Sequence, residues 1–188
     1  MEGSPILHFS KRSAWRNWLT AHFRDHREAW LVYPKAVTGK PRISYNDAVE
    51  EALCFGWIDS TVRSLDDEHT MQRFTPRKPG STFSQPNIER LKWLDHHDLI
   101  HPEIRPSVLP VIHRAFVFPG DILDAIRADP PAWEFYQTLP DGYRRIRIAY
   151  VDAARKRPEE FDKRLAHFIR QSGQHKLIRG YGGIDKYY

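Results

Sequence analysis

Residues 52–87 read ALCFGWIDSTVRSLDDEHTMQRFTPRKPGSTFSQPN, and they hold the end of a helix, a glycine stop and two alternating runs. The helix begins upstream in SYNDAVEEALCFG, where Ser44 is the expected N-cap and Asp47 stands three residues on. Ala48, Val49, Ala52 and Leu53 form its apolar stripe. Gly56 stops it, because a residue without a Cβ lets the chain reverse there. WIDSTVRSL and TMQRFTPR then alternate as two antiparallel strands around the acidic turn DDEH. In STFSQPNIERLKWL, Ser84 is a plausible N-cap, Pro86 sits in the first turn, and Ile88, Leu91 and Leu94 make the buried face.

Working outward, SKRSAWRNWLTAHF reads as an amphipathic helix built on Trp15, Trp18 and Leu19, and EAWLVYPK reads as a strand closed by Pro34. HPEIRPSVLPV carries Pro102, Pro106 and Pro110 and is expected to be an extended linker. Beyond it come four helical patterns, the last opening with Pro158 and two acids at the positive end of its dipole. The expected fold is α+β. N-terminal helices pack on a small antiparallel sheet over residues 1–100, a proline-rich linker spans 101–114, and a helical segment covers 115–188.

The chain of 188 residues is 40% hydrophobic, enough for one sizeable core or two small ones. Its net charge of +5 comes from 29 bases against 24 acids, a mixed surface whose surplus lies in the C-terminal quarter. The one cysteine, Cys54, rules out an intramolecular disulfide and a thiolate zinc cluster. The N-terminal stretch shows no signal-peptide core and no run approaches a membrane span, so a cytoplasmic location and no membrane insertion are expected.

Asp59 poses the chemical question. A strand of period two places Trp57, Asp59, Thr61 and Arg63 on one face, and an acid there must be hydrated, bonded or paired. Arg73 and Arg77 are the expected partners. One reading makes the pair a salt bridge pinning the TPRKP loop. The other makes Trp57, Asp59, Arg73, Arg77, Lys78, Ser84 and Asn87 the wall of a cleft for a small anionic ligand, with a forked guanidinium, a point charge and a helix N-terminus as donors. A third keeps Asp59 as a catalytic acid or base on a phosphorylated or carboxylated small molecule, with Arg73 and Arg77 stabilising charge; a binding role is favoured over an enzymatic one.

Other motifs are weaker. Cys54 ends an amphipathic helix, where the dipole raises a thiol's pKa, so it reads as structural. The run DHHDLIH at 95–101 lacks metal-ligand spacing, and neither metal nor organic cofactor is expected. The glycine-rich RGYGGIDKYY at the C-terminus does not join a strand to a helix as a nucleotide-binding loop must. Arg144, Arg145, Arg147, Arg155, Lys156 and Arg157 lie among Tyr143 and Tyr150, a mixture compatible with non-specific nucleic-acid association, though acids are interspersed.

These motifs together resemble the YdeI/OmpD-associated, or bacteriocin-protection, family. The similarity rests on Trp15/Trp18, on Ala29–Lys35, on Tyr45–Asp59, on Gln72–Asn87 and on PAWEFYQTLPDGYRRIRIAYVDAARKRPEEFDKRL at 131–165. Phe83 and Tyr150 stand where the family's Trp is usual, and Glu160–Phe161 replace a common Thr-Arg pair. The resemblance implies a bacterial protein with a role in resistance to bacteriocins or cationic peptides, and it implies no reaction.

Overall fold

The computed structural model describes residues 4–178 and 184–187. Among these are a four-stranded sheet and eight α-helices, an α+β fold. The chain divides into two compact units, 1–83 with 90–112 and 84–89 with 113–188. Of the glycine-rich C-terminal stretch, residues 179–183 and 188 lie outside the described residues.

In the first unit, β1 (Ile6–Leu7) pairs in parallel with β2 (Ala29–Pro34), and β2, β4 (His69–Pro76) and β3 (Trp57–Ser64) run antiparallel in the order β1-β2-β4-β3. Helices α1 (Arg12–His22) and α2 (Tyr45–Cys54) cover one face, called inner below. Trp15 lies 5.3 Å from the Phe74 ring and donates from its indole to the Ala48 carbonyl at 3.0 Å. Ser44 caps α2 as expected, accepting from the Asp47 amide at 3.0 Å.

Charge also holds the two helices. Arg12 bonds Glu50 (2.7 Å), Asp47 (2.9 Å) and Glu51, and Arg16 bonds Glu51 (2.7 Å) and the Leu99 carbonyl. Glu50 and Glu51 are buried, and a buried carboxylate survives only when paired and bonded in this way.

The proline-rich stretch is not extended. Residues Arg105–Ile112 form helix α4, which buries Val108 and Ile112 in the core of the first unit. Pro106 falls in the first turn, where no intrahelical N–H is needed, and Pro110 stands in a helix only eight residues long. Burial of two branched side chains outweighs the propensity of the prolines. Helix α3 (Gln85–His96) starts in the second unit and continues in the first.

The rest of the second unit contains α5 (Gly120–Arg127), α6 (Pro130–Thr138), α7 (Asp141–Asp152) and α8 (Pro158–Gly173). Its core gathers Ile122, Ile126, Tyr136, Tyr143, Ile148, Val151 and Phe168. Asp129 caps α6 through the Ala132 amide at 3.0 Å.

Candidate functional site

Strand register decides where each sequence-predicted residue goes. Asp59 stands opposite Phe74, a residue of the inner face, so its side chain shares that face with Trp57 and Gln72. Arg73, one residue before Phe74, therefore projects to the other face, where its Nε bonds Glu28 at 2.6 Å. Ser4 and Arg73 hold the Glu28 carboxyl below its ordinary pKa. The expected contact between Asp59 and Arg73 is thus not made, and the pleat is the reason.

A β-bulge adds a second correction. Asp59 pairs with Phe74 and Val62 with Gln72, so Ser60 and Thr61 together oppose Arg73 alone. The period of two breaks there, and Val62, not Thr61 or Arg63, shares the inner face with Asp59. Arg63 instead lies over the Trp30 ring at 5.2 Å.

Asp59 is held by two donors. Tyr45 Oη donates to Oδ2 at 3.0 Å and Gln72 Nε2 to the same oxygen at 2.8 Å. Burial and the Asp59 charge push the Tyr45 phenol up to about 12. Tyr33 lies beside them, its pKa also raised by burial and by Asp59. Both phenols therefore remain protonated donors at neutral pH. Tyr33, Arg42, Ile43, Ser44, Tyr45, Val62, Thr70 and Gln72 line a groove of about 420 Å³ at this end of the sheet.

Trp57 is buried, and its indole donates to the Phe23 carbonyl at 3.2 Å, so it serves the core and does not line a cleft. Arg77 has a different environment. Its backbone amide bonds the Gly56 carbonyl at 2.9 Å, and its guanidinium lies over the Phe83 ring at 3.6 Å. NH2 donates to the Thr82 carbonyl at 2.7 Å and weakly to that of Ser81 at 3.4 Å. No carboxylate among the described residues pairs with it, and its buried Nε has no partner. Burial lowers the pKa of this guanidinium. Lys78 next to it is exposed. Ser84 and Asn87 belong to the second unit; Ser84 is exposed and its carbonyl accepts from the Ile88 amide.

Sequence reasoning missed Tyr33, Tyr45 and Gln72. The signal was present in part, because Tyr33 and Gln72 alternate in step with Leu31 and Phe74 on strands already recognised. The register that brings them together has no local signal in the sequence. Among the described residues no three His, Cys, Asp or Glu side chains gather as a metal ion would require, and no helix is long and apolar enough to cross a membrane.

Two family models match separate parts of the chain. Residues 7–106, more than half of the chain, match a domain of unknown function (DUF8412). Residues 115–175 match the family model described as Bacteriocin-protection, YdeI or OmpD-Associated. The motif at 52–87 thus falls in the first match and the 131–165 motif in the second. No curated protein and no solved structure shows significant similarity to the chain. The chain belongs to the DUF8412 family, whose model covers its sheet-bearing unit, and over 115–175 it is similar to the bacteriocin-protection, YdeI or OmpD-associated family.

Proposed function

We propose that the protein is a binding module whose Arg77–Lys78 loop takes an anionic group, and that this binding serves the bacteriocin-protection role with which its C-terminal domain is associated. One observation carries the reading: the Arg77 guanidinium is partly withdrawn from water, stacked on Phe83 and, among the described residues, bonded only to backbone carbonyls. A desolvated cation without a counter-charge is stabilised by any phosphate or carboxylate that reaches it, and Lys78 adds a second charge beside it. The enzymatic reading loses the geometry it needed, because Arg73 is paired with Glu28 on the opposite face from Asp59.

The test is titration with inorganic phosphate and pyrophosphate, followed by the Arg77 Nε–H resonance and by calorimetry. Arg77→Ala should weaken pyrophosphate binding by about tenfold or more, as expected for a charged hydrogen bond worth about 1.5–3 kcal/mol. The variant should keep its fold and lose only about 1 kcal/mol of stability from the stacking contact. A large fall in Tm with no response to either anion would make Arg77 a loop staple and end the proposal.

A further inference from the structure

The groove on the inner face of the sheet has a donor and an acceptor set side by side, to which no described residue bonds. Tyr33 is 8% exposed, and its hydroxyl is buried without a hydrogen-bond partner among the described residues. A buried hydroxyl left in that state is destabilising, so it is retained against a cost. Gln72, 4% exposed, supplies the acceptor. Asp59 is an acceptor-only carboxylate, so the Gln72 amide must turn its nitrogen toward Oδ2, and the contact at 2.8 Å fixes that orientation. The Gln72 Oε1 then faces away from Asp59 and takes no hydrogen bond from a described residue.

The register makes these two groups neighbours. Tyr33 pairs with Thr70 and Leu31 with Gln72, so Tyr33 and Gln72 are diagonal neighbours on one face, within reach of an aromatic side chain. Tyr45 and Val62, 46% and 61% exposed, flank the groove with apolar surface. Its volume of about 420 Å³ is that of a small-molecule site.

We infer that this groove binds an uncharged small molecule presenting an amide-type edge, whose carbonyl accepts from Tyr33 Oη and whose N–H donates to Gln72 Oε1. A carboxylate of the same shape has no proton to give Gln72 Oε1 and sets an acceptor against an acceptor there. Arg42, at the rim, already donates to the Pro34 carbonyl at 3.0 Å. Asp59 is the positioning residue: it locks the amide of Gln72 and the hydroxyl of Tyr45.

Benzamide and benzoate serve as probes, titrated into the full chain and followed by amide chemical shifts and calorimetry. Benzamide should perturb Tyr33, Val62 and Gln72 and bind about tenfold more tightly than benzoate. Tyr33→Phe should reduce the affinity for benzamide several-fold while leaving Tm unchanged or raised, because it deletes a hydroxyl that no protein group satisfies. Asp59→Asn should bring the two affinities together, since an asparagine permits either orientation of the Gln72 amide. Equal binding of both probes to the unaltered protein, shifts confined to Arg42, or no binding at all would each overturn the inference.

Discussion

Cys54 shows how position in the fold sets the chemistry of one atom. Burial, reinforced by the Glu51 carboxylate and opposed by Arg16, pushes its thiol up to about 12 from 9.0. At pH 8 almost no thiolate forms, so a thiol reagent should modify the native protein at the rate of unfolding and the denatured chain at once. Fast labelling of the native form would contradict the structure. The same shift has a consequence for stability. Between pH 9.0 and about 12 the folded thiol keeps a proton that the unfolded thiol has released, so stability falls as pH rises through that window. Tyr45, raised from 10.0 to about 12, adds to the fall only above pH 10. Thermal melts should therefore show a decline in Tm beginning near pH 9, and Cys54→Ala should delay that onset toward pH 10, whatever its effect on the Tm at neutral pH.

At the scale of elements, Gly56 is the residue on which the turn from α2 into β3 depends. Its φ is +72°, and a Cβ added there would stand 3.1 Å from Ile104 Cδ1 on the segment leading into α4. Gly80 has a similar φ of +75° but open space around it. Gly56→Ala should lose about 2 kcal/mol and Gly80→Ala about 1 kcal/mol, the backbone cost alone, read as the difference between their chemical-denaturation midpoints. Equal losses would show that Ile104 moves aside freely. The Gly56 stop, the Ser44 cap and the tight turn that joins β3 to β4 were legible in the sequence because their signals lie in residues fewer than five apart. The Asp59 environment was not. Its partners lie 13 and 14 residues away, Arg73's lies 45 away, and the bulge at Ser60–Thr61 leaves an unbroken alternation in the letters. The helix at Arg105–Ile112 was hidden for another reason: three prolines outweigh every local cue, and only tertiary burial of Val108 and Ile112 explains it.

For the molecule as a whole, the net charge of +5 overstates how much cation is available. In the second unit Arg144 bonds Asp141, Arg145 bonds Glu89 through two contacts of 2.7 and 2.8 Å, and Arg155 bonds Asp121 and Asp152. Arg164 bonds Glu160 at 2.7 Å and stacks on Tyr150, and Arg147 donates to the Ile178 carbonyl. Nucleic-acid association through these arginines would have to break their pairs, which leaves the exposed Lys156, Arg157 and Lys163 as the more accessible cations of this segment. Gel shifts with single- and double-stranded DNA should show no complex at about 200 mM salt and at most a diffuse one at about 50 mM; a sharp, saturable shift at the higher salt would instead support nucleic-acid binding. The bulge in β3 bears on the molecule's solubility as well as on Asp59. β3 is the outermost strand of its sheet, and a straight row of free amides and carbonyls along such a rim is a template for fibrillar stacking. One supernumerary residue at Ser60–Thr61 puts that row out of step, so a second chain laid against it could not continue the ladder past the kink.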